Sequence, residues 1–260
     1  MILVVDSVSR FDGFAEEYDR VRPSPPAALF ELLRQYTGRE SPTVVDLGAG
    51  TGLSTEPWQD IAGQLYAVEP NAEMAAIARA RVPGLTIADG TAEHTGLPDA
   101  CADLVTASQA LHWFDAERAL PEVARILKPG GVFAAYDCDW PPTVHPEVDA
   151  AYLEFERKHY AAQIELNLLP RKANKHEHAQ RMRDSGQFRL VREIALHAQD
   201  SGDAARLCAV AESQGGTVAL RRAGVGDEGI GMDVLAAAAQ RHLAEPRTWW
   251  WTYRVRLGVV

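Results

Sequence analysis

Val44-Val45-Asp46-Leu47-Gly48-Ala49-Gly50-Thr51-Gly52-Leu53-Ser54-Thr55 is the stretch whose reading decides the fold. A short apolar run ends on Asp46, glycines follow at 48, 50 and 52, and a periodic apolar segment starts at Leu53, which reads as strand, tight turn and helix. Glycine suits such a turn because a residue without Cβ takes positive φ readily and lets a ligand lie against the peptide plane. The N–H groups at the start of the following helix would face that ligand. The turn is therefore read as a cradle for a nucleotide-like molecule. Its spacing, Asp-x-Gly-x-Gly-x-Gly, lacks the Lys-Ser/Thr ending of a phosphate loop and differs from the Gly-x-Gly-x-x-Gly of dinucleotide binders.

Downstream the same alternation repeats. Leu53 to Ile61 reads as the first helix, and Gln64 to Glu69 as a second strand. That strand ends on an acid about 20 residues past the turn, where a carboxylate can accept both hydroxyls of a ribose. Asn71 caps a helix over Ala72 to Arg81. Leu85 to Ala88 is a third strand, followed by the polar turn Asp89-Gly90-Thr91-Ala92-Glu93. A fourth strand, Asp103 to Ala107, leads into Ser108-Gln109-Ala110-Leu111-His112-Trp113-Phe114. Asp115 then caps a helix through Leu127, Lys128-Pro129-Gly130-Gly131 ends it, and Val132 to Tyr136 is the fifth strand. Such alternation implies a parallel sheet with helices on both faces and ligands at the carboxyl ends of the strands. Every polar cluster above falls at that end.

Composition narrows the function classes. The chain has 260 residues, 47% hydrophobic and 24% charged, within the range of an ordinary globular protein. A formal net charge of −10 argues against general nucleic-acid binding, which needs clustered Lys and Arg. Cys101, Cys138 and Cys208 are far apart and form no Cys-x-x-Cys pair, so neither a disulfide framework nor a zinc site is expected, and a cytoplasmic location fits. Met1 to Val5 is too short for a signal segment, and no run approaches the roughly 18 apolar residues of a membrane span.

These motifs together resemble the class I S-adenosylmethionine-dependent methyltransferases, in particular the broad type 11 small-molecule group. Asp46 to Gly52 is similar to that family's first motif, Val68-Glu69-Pro70 to its ribose-binding acid, Gly90-Thr91-Ala92-Glu93-x-x-Gly-Leu-Pro to its adenine loop and Leu127-Lys128-Pro129-Gly130-Gly131 to its last motif. The likeness is dense from residue 11 to about 137. It implies a Rossmann-like, doubly wound seven-stranded α/β sheet, parallel with one antiparallel strand, and S-adenosyl-L-methionine as cofactor. Gly48, Ala49 and Gly50 would touch its methionine portion, Glu69 the ribose, and Thr91 and Ala92 the adenine edge. Tyr18, Asp46, Thr51, Gly52, Pro70, Met74, Ser108 and Gln109 complete the implied cofactor set. Thr91 stands where the family usually has an acid. Tyr18 and Arg22 match aromatic and basic positions that often cover the cofactor.

The remainder divides into residues 138–187, read as a helical lid or substrate-binding insertion, and 188–260, which complete a core begun by 1–137. Phe11, Phe14 and Tyr18 share one helical face, suited either to core packing or to a lid. In the insertion, Val148, Tyr152, Phe155 and His159 form one helical stripe, and Pro141 to Gln187 carries seven Lys or Arg against seven Asp or Glu. His176 and His178, two residues apart, diverge on a helix and are read as part of a solvated polar face, with no metal expected. Phe188 to His197 and Thr248 to Leu257 alternate with period two and are read as the closing strands, the last beside strand five. Trp249, Trp251, Tyr253, Val255 and Leu257 would face the core, with Trp250, Thr252, Arg254 and Arg256 opposite. Helical stretches at Asp203 to Arg222 and Glu228 to Leu243 connect them, and Ser213-Gln214 is read either as facing the pocket or as a helix end followed by its glycine cap.

The chemistry expected follows from an activated sulfonium methyl, whose in-line transfer needs alignment above all. A base is required only for a weakly acidic hydroxyl or a protonated amine. His112 is the candidate base, or else a histidine that orders the loop after strand four. Trp113, in a Leu-His-Trp segment similar to that of juvenile hormone acid and trans-aconitate methyltransferases, is the second catalytic candidate. The resemblance implies that its donor-only indole helps to hold an acceptor carboxylate. The expected partner is a small-molecule methyl acceptor bound by a monomer or homodimer, without nucleic acid or membrane. A dinucleotide-dependent oxidoreductase and a non-catalytic S-adenosylmethionine-binding protein are the alternatives.

Overall fold

The computed structural model of the chain describes residues 21–170 and 172–260; Phe11, Phe14 and Tyr18 lie outside them. Seven strands form one sheet in the order β3-β2-β1-β4-β5-β7-β6. They are β1 (Thr43–Leu47), β2 (Gln64–Val68), β3 (Thr86–Ala88), β4 (Ala102–Ser108), β5 (Leu127–Cys138), β6 (Leu190–Gly202) and β7 (Arg247–Val259). β1 to β5 pair in parallel, and β7 runs antiparallel against β5. Strand order reverses at β1, between β2 and β4, which in an open α/β sheet puts the ligand crevice at the carboxyl ends of those strands.

The described residues fall into two compact units. Residues 24–138, 172–196 and 253–260 form the first. Its central strands are apolar on both sides, as expected where helices cover both faces. Alternate residues of β1 separate the two cores: Val45 and Leu47 pack with Val105, Phe133 and the helix α3 (Ala116–Ile126), whereas Val44 packs with Leu104, Val132 and the helix α1 (Ala27–Thr37). Full burial of one such Leu or Val stabilises by about 1.5–3 kcal/mol. Between β2 and β3, the helix α2 (Ala72–Arg81) starts at Asn71, whose Oδ1 accepts from Met74 N at 3.0 Å. Asp115 caps α3 in the same way, accepting from Glu117 N at 3.2 Å.

Two local expectations need correction. Leu53 to Ile61 is not an α-helix but a chain of turns with one short 3-10 helix at Glu56–Trp58. Pro57 has no N–H to give Leu53, and the hydroxyls of Ser54 and Thr55 are drawn onto Asp46, so only isolated helical bonds form, such as Glu56 N to Gly52 O at 2.8 Å. Lys128-Pro129-Gly130-Gly131 does not separate α3 from β5 but lies inside β5 as an irregularity: Ala102 pairs with Leu127, and pairing resumes at Leu104 with Val132.

Residues 21–23, 139–171 and 197–252 make the second unit. The helix α4 (Pro146–Glu165) buries Val148, Tyr152, Phe155 and His159, the stripe expected from their spacing. The stretch from Asp203 to Leu243 breaks into α6 (Ala204–Glu212), α7 (Gly215–Arg222), α8 (Asp227–Ile230) and α9 (Met232–His242), with α9 against α4 and α6. Gln214 Nε2 donates to the buried Tyr152 hydroxyl at 2.9 Å. Trp249 and Trp251 are buried here while Trp250 is 50% exposed, as period two requires. Among the described residues no helix is long and apolar enough to cross a membrane.

Candidate functional site

The glycine turn has the geometry its sequence demands: Gly48, Gly50 and Gly52 have φ of +64°, +57° and +81°. A Cβ on Gly48 would lie 2.9 Å from Ala110 Cβ, and one on Gly52 3.2 Å from Ala78, so both are closed in by their neighbours. Among the described residues a Cβ at Gly50 would meet only Met74 Sδ, at 3.8 Å. Of the three glycines, Gly50 is therefore the one that the described residues leave space beside. Below the turn, Asp46 is fully buried and holds the loop through hydroxyls, accepting from Thr55 Oγ1 at 2.6 Å, Thr106 Oγ1 at 2.7 Å and Ser54 Oγ at 3.3 Å. Thr106 is its register partner on β4. Burial pushes the Asp46 carboxyl above the usual range, against those three donors.

Glu69, just past β2, is brought onto the same turn. Its Oε2 accepts from Gly50 N at 2.9 Å and its Oε1 from Asn71 N at 2.8 Å. Burial raises its pKa, opposed by the two backbone donors. Pro70 follows, exposed, and Met74 is buried in the first turn of α2. Ala49 and Thr51 are buried within the turn. Thr91 is exposed and Ala92 buried in a tight loop closed by Thr91 N to His94 O at 2.9 Å and its reciprocal bond at 3.1 Å. Glu69 is thus hydrogen-bonded to the glycine turn, and Asp46 is tied to the segment that follows it through Ser54 and Thr55.

A second group gathers where β4 and β5 end. Ser108 closes β4, half-buried, and Gln109 has φ +52°, a left-handed conformation that costs a non-glycine residue about 1–2 kcal/mol. Its backbone is held by Gln109 N to Tyr136 O at 2.8 Å. His112 is buried in a 3-10 helix (Leu111–Trp113), its ring centroid 4.9 Å from that of the half-buried Trp113. His112 Nδ1 lies 3.6 Å from Asp137 Oδ1. Burial, reinforced by the charges of Lys175 and Lys172, lowers the His112 pKa to about 4 despite Asp137.

Asp137 is the hub of this group and was not singled out from sequence. Arg256 Nη1 donates to its Oδ2 at 2.8 Å, and Lys175 Nζ lies 2.9 Å from its Oδ1. The ammonium hydrogen-bonds Gln109 Oε1 at 2.6 Å. Burial works against ionisation of Asp137, but His112, Lys175 and their charges outweigh it and hold the carboxyl well below its usual range. Arg256 continues to Glu193 Oε2 at 2.8 Å. His178 completes the cluster, its Nε2 4.0 Å from Asp137 Oδ2, its ring stacked 6.4 Å from His112. Only His176 fits the solvated face expected of the pair: His178 is 1% exposed, because it opens the helix α5 (His178–Asp184) with its side chain inward. Burial lowers its pKa to about 4. Arg256 also departs from the expected outer face of β7, buried to 1% exposure by its two carboxylate partners. A carboxylate following the apolar run of β5 was the one sequence signal for this hub. Among the described residues no group of three or more His, Cys, Asp or Glu side chains could hold a metal ion.

Residues 45–135 match the family described as "Methyltransferase domain". An uncharacterized methyltransferase of Mycobacterium bovis is 45% identical over 122 residues, which cover 46% of this chain and 49% of that one. A malonyl-[acyl-carrier protein] O-methyltransferase of Pectobacterium atrosepticum is 30% identical over 132 residues, covering 50% of this chain and 51% of that one. The chain thus spans about half the length of the curated relatives it matches. Among solved structures, a provisional type II methyltransferase from Anaeromyxobacter dehalogenans superposes with a TM-score of 0.70 at 26% identity, over 92% of this chain and 97% of that one.

Proposed function

We propose, on the premise that the chain carries a class I S-adenosylmethionine-dependent methyltransferase domain, that it moves a methyl group onto an oxygen or nitrogen atom of a small molecule, with a carboxylate oxygen as the preferred target. The observation that carries the methyltransferase reading is the junction of Glu69 with Gly50: an open glycine backbone and an acid at the end of β2, 2.9 Å apart. These groups suit S-adenosylmethionine. Gly48, Ala49 and Gly50 would lie along its methionine portion, Glu69 would accept from the ribose hydroxyls, and Thr91 and Ala92 would border the adenine. Asp46 serves this site indirectly, by fixing the turn through Thr55 and Ser54.

When bound, the cofactor supplies an activated methyl group that an aligned nucleophile displaces in line. The chain's own task is alignment and the exclusion of water, which can account for about 7–11 kcal/mol of the barrier. Whether it must also remove a proton turns on His112. An imidazole with its pKa lowered to about 4 is neutral at pH 7 and a weak base, poorly matched to a hydroxyl or an ammonium. A carboxylate arrives deprotonated and needs no base. Trp113, beside His112, offers an indole N–H donor for such an anion. Oxygen methylation by the Pectobacterium relative points the same way.

Two measurements test the reading. Calorimetry is expected to give tight binding of S-adenosylhomocysteine and none of NAD. Methyl transfer from labelled S-adenosylmethionine to a panel of carboxylic acids, phenols and amines is expected to yield base-labile methyl esters. Binding of NAD in place of S-adenosylhomocysteine would overturn the function, and stable N-methyl or ether products would overturn the carboxylate preference.

A further inference from the structure

The cluster around Asp137 sets two cations on one carboxylate, one on each oxygen and only one of them partly exposed. Asp137 and Arg256 are 4% and 1% exposed and close on each other at 2.8 Å, through Oδ2. Glu193 meets Arg256 at its Nε, away from Asp137. Lys175 is a second cation on the same carboxylate, 30% exposed, and its ammonium is aimed at the Gln109 side chain. An ammonium has three N–H donors. Among the described residues Gln109 takes one and Asp137 another, and the third is left for a ligand at the end of β4.

This lysine is fixed in place by backbone. Ala173 N donates to His112 O at 2.8 Å, and Arg256 Nη2 donates to Lys175 O at 3.1 Å, so the chain around residues 173–175 is laid against the loop that carries His112 and Trp113. In sequence the stretch is Arg171-Lys172-Ala173-Asn174-Lys175, three cations and no acid in a chain of net charge −10. The strained φ of Gln109 has a purpose in this setting: it accompanies a side-chain carbonyl that grips the ammonium at 2.6 Å. Lys175 and Lys172 are also the cations whose charges act on His112 in the β4 loop, against Asp137.

We propose that Lys175 is the residue that binds a carboxylate of the methyl acceptor, with Gln109 and Asp137 positioning its ammonium. This assignment rests on the methyltransferase reading above and adds to it the group that recognises the acceptor's charge. When Lys175 is replaced, Arg256 stays on Asp137 Oδ2 at 2.8 Å, so the carboxylate keeps a buried cation.

The test uses malonate as the probe and malonamide as its uncharged counterpart, titrated calorimetrically into protein saturated with S-adenosylhomocysteine. Wild type is expected to bind malonate and to discriminate against malonamide. Lys175→Met is expected to weaken malonate at least tenfold, Lys175→Arg to hold it within about threefold, and all three to bind S-adenosylhomocysteine alike. Equal malonate affinity in wild type and Lys175→Met, or no preference of wild type for malonate over malonamide, would overturn the assignment while leaving the cofactor site standing. Loss of S-adenosylhomocysteine binding from wild type itself would instead remove the methyltransferase reading and this inference with it.

Discussion

Acid should destabilise this protein through two buried imidazoles, and removing one of them should halve the effect. His112 and His178 each have a pKa lowered from 6.5 to about 4, first by burial and then by the cations around Asp137. The sign follows from proton uptake. Between pH 6.5 and 4 the unfolded chain binds protons that the folded chain refuses, so stability falls as the pH falls. At 1.36 kcal/mol per tenfold change in proton affinity, each histidine costs about 3 kcal/mol across that window. Two of them amount to about 6 kcal/mol, a large share of the 5–15 kcal/mol that holds a typical domain together. Asp137, whose carboxyl is lowered, stays ionised throughout and begins to lose its contribution only below about pH 4. Asp46 and Glu69, raised by burial, change with the opposite sign, but they do so equally in any variant that leaves them intact. The comparison is therefore wild type against His178→Phe, a ring of similar shape at a position where neither nitrogen has a hydrogen-bond partner. Urea unfolding followed by tryptophan fluorescence at intervals from pH 7.5 to 4.5 should show a dependence on pH about 1.4 kcal/mol per pH unit shallower in the variant. Superimposable pH dependences would refute the claim that His178 is buried and uncharged.

Three further outcomes separate the parts of the site. Gly48→Ala and Gly50→Ala both force alanine into positive φ, but only at Gly48 does the new Cβ strike Ala110 and Phe114. Gly48→Ala should therefore cost about 2–4 kcal/mol of stability in urea unfolding, and Gly50→Ala about 1–2 kcal/mol together with most of the S-adenosylhomocysteine affinity. Glu69→Gln removes a charged acceptor, worth about 1.5–3 kcal/mol, so calorimetry should find S-adenosylhomocysteine bound about ten- to a hundredfold more weakly. Trp113→Phe should raise KM for an acid acceptor and leave S-adenosylmethionine binding unchanged; kinetics indistinguishable from wild type would count against a role for the indole.

Most of the sheet was legible because its cues are local. Period-two burial, the caps at Asn71 and Asp115 and the alternation of strand with helix each depend on residues within about one element of one another. The buried face of the last strand was legible too, from the alternation of Trp249, Trp251, Tyr253, Val255 and Leu257, while its place beside β5 came from the family resemblance. Where the reading failed, a tertiary demand had overridden a local one. Leu53 to Ile61 has helical spacing, but Asp46 is fully buried and needs the hydroxyls of Ser54 and Thr55, and a loop able to bring both to one carboxylate does not leave them on a regular helix. The cost of an unsatisfied buried carboxylate exceeds the few tenths of a kcal/mol per residue that helix propensity offers.

The same contrast divides the site. The end at the glycine turn was legible because Asp46 on β1, the three glycines just after it and Glu69 just past β2 are separated by a single crossover between neighbouring parallel strands. The hub around Asp137 has no such spacing: His112, Asp137, Lys175, His178 and Arg256 come from the loop after β4, β5, the segment before α5, α5 itself and β7. Each alone has an ordinary explanation, Lys175 as a solvated cation, His178 as a polar helix residue, Arg256 as the outer face of a strand. A buried carboxylate makes them interdependent, since Asp137 in an apolar sheet can stay ionised only if cations from elsewhere in the chain come to it. Two come to it, Arg256 at Oδ2 and Lys175 at Oδ1, 2.8 and 2.9 Å away. Arg256 is sealed in at 1% exposure, whereas Lys175 is 30% exposed, so of the two only Lys175 can hold the carboxylate on one side and meet a ligand on the other.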